Sequence, residues 1–175
     1  LELMSGNALA SPGQKRGIDP HTWLSPRNVR IMAAQILAEL KQINPRSADV
    51  YDKNYRAFLE EISVTEGMVR EILKESKGKK LITYHPSLTY FCRDNGLIQF
   101  SVEEGGKEPT PARMAFLSET AKTEGIGVIY IQSEFDREMA RVFAEEIRGK
   151  VVQIWPLNPD WSANLVETAR LISEN

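Results

Sequence analysis

The chain is predicted to be an α/β protein whose C-terminal part is a four-stranded parallel sheet flanked by helices and preceded by a long helix. Three observations lead to this expectation. From Lys79 onward, short apolar runs alternate with amphipathic stretches, the pattern of successive β–α units whose strands run parallel and whose helices cover both faces. Before Gly78 the apolar residues instead recur at helical spacing. The change between the two regimes falls at Gly78, in a short turn.

Taken in order, residues 1 to 19 lack periodicity and are rich in Gly, Ser and Pro, which reads as loop. Ser25 can cap a helix that has Pro26 at its first position, and Val29, Met32, Ala33, Ile36, Leu37 and Leu40 then repeat at helical spacing to about Gln42. Asn44 and Pro45 repeat the cap-and-proline signal. The helix they open carries Tyr51, Tyr55, Phe58, Leu59, Ile62, Met68, Val69, Ile72 and Leu73 on one side. If unbroken to Ser76 it is about 48 Å long, at roughly 1.5 Å per residue, and Gly67 is the one candidate interruption. Strands follow at 81–84, 98–102, 126–131 and 151–154, each leading into a helical segment, at 87–95, 110–124, 135–148 and 160–174.

Composition excludes several function classes. The 22 basic and 24 acidic residues leave a net charge of −2, and no Lys/Arg block or basic stripe occurs, so nucleic acid is not an expected partner. No apolar stretch approaches the roughly 20 residues that a membrane-spanning helix needs. The single cysteine, Cys92, has no partner for an internal disulfide, and LTYFCRDNGL places it on the buried face of a short helix. The sequence starts at Leu1 and runs directly into loop composition, which suggests a partial or processed chain.

Ligands of open α/β sheets bind beyond the carboxyl ends of the strands. His85 in TYHPSLTYF follows the first predicted strand, Glu103 and Glu104 the second, Gln132 and Glu134 the third, and Trp155 the fourth. The only other histidine, His21 in GIDPHTWLSP, also stands beside a proline. Imidazole is the commonest side-chain ligand of zinc, and is joined by carboxylates when the ion is harder, as manganese is. The separation of the two histidines by 64 residues matches no local metal motif. On residue types alone, they are either unrelated side chains packed at turns or parts of one metal site. Phosphate loops and the GxSxG elbow are absent. Glu103 and Glu104, adjacent at a strand end, read as a solvated charge run, and Trp23 and Trp161, each just before a helix, as core or lobe-interface residues.

The runs GIDPHTWLSPRNVRIMAAQI, INPRSADVYDKNYRAFLEEI, LITYHPSLTYF and VEEGGKEPTPARM, in this order, resemble the solute-binding receptors of zinc and manganese ABC uptake systems (metal-receptor cluster A-I) from Gly17 to Asn175. The resemblance implies two α/β lobes joined by a rigid helix, with a metal held between them. It divides the chain into a remnant of an N-terminal lobe at 1–44, a linking helix at 45–78 and a C-terminal α/β lobe at 79–175. His21 and His85 fall on the second and third family histidines. The strand that would bring the first histidine has no counterpart after Leu1, and the last strand reads IWPL where the family has an aspartate in a pattern like IDPL. Trp155 cannot ligate a metal, so the resemblance leaves the remaining position to water, Glu134 or Glu103.

The function so implied is a non-enzymatic metal receptor, for zinc or alternatively manganese. It would deliver its ion to an ABC transporter permease and reside in the periplasm or outside the cell as a membrane-anchored lipoprotein. A second expectation is a metal-dependent hydrolase that activates water on His21, His85 and a carboxylate. A third is a receptor-like interaction protein with a degraded metal site. With most of one lobe missing, self-association through exposed apolar surface is expected as well.

Overall fold

Thr22–Leu24 form one 3-10 turn after His21, and Ser25 separates it from the helix that follows. Its backbone is extended and its hydroxyl accepts the Asn28 amide at 3.1 Å, with Pro26 next in the chain. The arrangement is an N-cap with proline at the first helical position, as the sequence predicts, and it opens helix α1 (Pro26–Ile43). The computed structural model describes residues 18–103, 107–132 and 137–175. Residues 1–17, most of the segment read as loop from the sequence, and the carboxylates Glu104 and Glu134 lie outside the described residues.

The second helix is shorter than the sequence suggests. Pro45–Ser47 form one 3-10 turn, and α2 proper runs from Ala48 to Ile72, about 38 Å at roughly 1.5 Å per residue. Gly67 is helical and does not interrupt it. The chain leaves the helix at Leu73, whose ring of apolar neighbours draws it into the core, and Gly78 turns it with φ of 78° toward the first strand.

Four strands then follow: β1 (Lys80–Thr83), β2 (Ile98–Ser101), β3 (Val128–Gln132) and β4 (Lys150–Ile154). They form one all-parallel sheet in the order β2-β1-β3-β4, with Thr83 opposite both Ser101 and Tyr130. The intervening helices are α3 (Thr89–Asn95), α4 (Pro111–Glu124) and α5 (Arg137–Glu146), and α6 (Trp161–Ser173) closes the chain. The third strand begins two residues later than expected, because the Ile126 amide still closes α4 on the Ala121 carbonyl and Gly125 takes the left-handed conformation.

Strand residues alternate between two cores. Leu81, Val128, Tyr130 and Ile154 meet α2, α3 and α6 on one face, through Val69, Phe91, Cys92, Leu165 and Ala169. Ile82, Ile129 and Ile131 meet α4 and α5 on the other, through Leu117, Ala121, Phe143 and Ala144. This is the doubly wound lobe the β/α alternation predicts. Cys92 is buried in the first core, which pushes its thiol up and leaves it inert, in line with its sequence reading.

The segment around His21 belongs to the first core as well. Leu24 and Trp23 pack against it, the Trp23 indole donates to the Pro156 carbonyl at 2.9 Å, and the Trp161 indole donates back to the Trp23 carbonyl at 2.6 Å. These exchanged bonds fasten the start of the described chain to the loop between β4 and α6. Trp23 and Trp161 thus take the packing role expected of them.

Candidate metal centre

The topology puts a crevice at the carboxyl edge between β1 and β3. From β1 the chain crosses to β2 on one side, and from β2 it returns past β1 to β3 on the other. Such a reversal is where open α/β sheets hold ligands. Tyr84 prolongs β1 by donating its amide to the Tyr130 carbonyl at 2.8 Å, and His85 emerges one residue later.

His21 reaches the same point from the other end of the described chain. Asp19, two residues before it, accepts the His21 amide at 2.8 Å and the His21 Nδ1 at 2.6 Å with one carboxylate oxygen. The first of these bonds is an Asx turn, the local conformation that Asp favours before a proline-containing bend. The Tyr90 hydroxyl, fully buried on α3, donates to the Asp19 carbonyl at 2.9 Å and fixes the turn to the sheet domain. The Asp19 side chain is itself buried, with its second oxygen unpartnered among the described residues.

The two rings therefore meet. Nε2 of His85 lies 3.3 Å from Nε2 of His21, and the rings stand edge-on with an interplanar angle of 81°. On the far side of His85, Nδ1 lies 2.8 Å from Glu103 Oε2. A carboxylate only accepts hydrogen bonds, so each Nδ1 carries a proton, and in the neutral ring Nε2 presents a lone pair. The two Nε2 atoms face each other across 3.3 Å. That arrangement suits a cation between them: nitrogens each about 2.0–2.1 Å from a tetrahedral zinc lie about 3.3–3.4 Å apart.

Glu103 departs from the solvated charge run read in the sequence. It is 7% exposed and bonded to His85, because its amide joins the Tyr84 carbonyl at 2.9 Å and draws the residue over the end of β1. Glu134 lies outside the described residues. Trp155 stands 43% exposed at the end of β4. Among the described residues no group of three or more His, Cys, Asp or Glu side chains is disposed around one point to hold an ion. The sequence reading had not singled out Asp19; its position two residues before His21, with a proline between, was the available signal.

A doubly wound parallel domain with two imidazoles meeting at its switch point has the architecture of an open α/β lobe with its candidate site where such sheets hold ligands. The chain belongs to the family described as ZnuA, zinc-uptake complex component A periplasmic, whose model matches residues 4–174. A crystal structure of ZnuA superimposes with a TM-score of 0.87 at 33% identity, covering 97% of this chain and 67% of its own. The zinc-binding lipoprotein AdcA of Streptococcus pneumoniae serotype 4 is 29% identical over 147 residues, 83% of this chain and 29% of AdcA. A Chlamydia muridarum protein described as metal-binding is 25% identical over 157 residues, 89% of this chain and 57% of that protein. The chain thus spans between about a third and three fifths of these curated relatives. The Pseudomonas aeruginosa protein FpvC, solved with Mn2+, shares the fold at 20% identity with a TM-score of 0.81.

Proposed function

We propose that the chain is the metal-holding part of a receptor that captures a divalent ion, zinc in preference to manganese, and passes it to an ABC transporter permease at the outer face of the cytoplasmic membrane. The observation that carries this reading is the 3.3 Å approach of two imidazole Nε2 atoms, each backed by a buried carboxylate. Two carboxylates beside two neutral imidazoles supply the negative charge that a dication balances, and an all-nitrogen pair at tetrahedral spacing favours zinc over the harder manganese. Membership in a zinc-uptake family and the zinc-binding and lipoprotein descriptions of its relatives support the same cargo and a membrane-anchored, periplasmic or extracellular setting.

In this reading His21 and His85 are ligands, and the remaining positions go to water or to side chains outside the described residues, Glu134 among them. Residues 1–44 then act as the remnant of one lobe, 45–78 as the linking helix and 79–175 as the second lobe. Calorimetric titration of the metal-free protein with Zn2+ and with Mn2+ tests the proposal. One zinc bound per chain, more tightly than manganese, is expected; no saturable binding of either ion, or tighter binding of manganese, would overturn it.

The same reading leaves an apolar stripe uncovered. Ile36, Leu40 and Ile43 on α1 and Val50 on α2 are exposed, and such a stripe favours association. We infer that the chain on its own forms dimers or larger species as its concentration rises. Sedimentation velocity over a hundredfold range of concentration is the check, and an invariant monomer defeats the inference.

A further inference from the structure

We propose that Glu103 is a positioning residue that holds His85 in its ligating tautomer, and that it is not itself a ligand. The inference rests on the receptor reading above and deepens it by giving a chemical role to a buried carboxylate beside the site. The ring nitrogens of an imidazole point to different sides, so a carboxylate bonded to Nδ1 stands behind the ring as seen from an ion at Nε2. Glu103 Oε2 occupies that rear position, 2.8 Å from His85 Nδ1, while His85 Nε2 faces His21.

The backbone explains why the carboxylate is there and why it stays. The Val102 amide donates to the Thr83 carbonyl and the Glu103 amide to the Tyr84 carbonyl, each at 2.9 Å, so the chain leaving β2 remains laced to the chain leaving β1. The Ser101 hydroxyl donates to the Glu103 carbonyl at 2.9 Å, and the buried Arg113 guanidinium donates twice to the Ser101 carbonyl, at 3.2 and 2.7 Å. Glu103 is thereby fixed before any ion arrives. Its entropy of ordering is met by the fold rather than at binding.

The chemical benefit is specific. A free neutral histidine places its proton preferentially on Nε2, the nitrogen that here has to be bare. An acceptor fixed at Nδ1 reverses the preference and points the Nε2 lone pair, as outer carboxylates do behind metal-bound histidines. Asp19 stands in the same relation to His21, so both ligands are prepared by the same device.

The tautomer is readable without metal. In long-range 15N–1H spectra of the metal-free protein, His85 Nε2 is expected at the shift of a bare ring nitrogen. In Glu103→Ala it should move toward the protonated position, and in Glu103→Gln, whose amide oxygen still accepts from Nδ1, it should return most of the way. Zinc affinity should fall roughly 10–100-fold in Glu103→Ala with one ion per chain retained, and the visible spectrum of the Co2+-loaded variant should keep the band positions of the parent. A shifted, re-shaped Co2+ spectrum would make Glu103 a ligand. An unchanged tautomer with unchanged affinity would remove it from the site altogether. Failure of the receptor reading shows separately, as full-strength zinc binding by His85→Ala.

Discussion

Replacing either His21 or His85 by alanine lowers zinc affinity by about two orders of magnitude or more. Structural zinc sites gather apparent binding free energies of about 10–16 kcal/mol from four ligands, or roughly 2.5–4 kcal/mol for each, and each 1.4 kcal/mol is about tenfold in affinity. The two substitutions should be coupled, because in the proposed site the imidazoles, 3.3 Å apart, would share one ion. The double variant should therefore lose less than the product of the single losses. Binding to the parent weakens as pH falls, since protons compete with the ion for the same Nε2 lone pairs. Competition titrations with a zinc chelator of known affinity measure all three variants. Parent-like affinity in both single variants would show that neither ring is a ligand and would leave the receptor reading without its chemistry.

The second large effect is on stability. Phe143→Ala should destabilise the chain by about 3–5 kcal/mol, the range for truncating a buried aromatic ring. Phe143 is 1% exposed in the core between the sheet and α4 and α5. Its neighbour Val142, one position away on the same helix, is 53% exposed, and Val142→Ala should change stability by no more than about 0.5 kcal/mol. For a chain of this size about 1 kcal/mol moves the thermal midpoint by roughly 2–4 °C, so the first variant melts on the order of 10 °C below the second. Equal midpoints would mean that α5 does not pack on the sheet as described.

The series of strands was legible because each buried strand is a short apolar run and each helix an amphipathic one. Val128–Gln132, buried at every position, could hardly be read otherwise. Boundaries were less legible where capping competes with pairing. Ile126 is apolar and follows Gly125, yet its amide belongs to the end of α4. The long helix was overdrawn because Asn44 and Pro45 open a 3-10 turn before the α-helix, and because Leu73 continues the apolar period after the helix has ended.

The histidines were legible as candidates and not as a pair. Proline neighbours and strand ends flagged both, but nothing in a separation of 64 residues says that two Nε2 atoms meet; only the resemblance to metal receptors joined them. The supporting carboxylates fared differently. Asp19 acts through a bond two residues long yet was not singled out, whereas Glu103 was named as a candidate ligand and as part of a charge run with Glu104, because its bond to His85 crosses two strands and leaves no local trace.

The exchanged indole bonds between Trp23, Pro156 and Trp161 also set the order in which the molecule can be made. They close loops of 133 and 138 residues, among the most distant contacts in the chain, and such closures come late because their entropy must be met before they give anything back. During synthesis His85 and Glu103 can take their places as soon as the first two strands pair. The turn bearing His21 can meet Tyr90 on α3 early, but its Trp23 end is fastened only once α6 has been made. The proposed ion site would therefore be fully fastened only when the C-terminal helix is in place, and capture of metal would report a chain in which Trp23 and Trp161 have met.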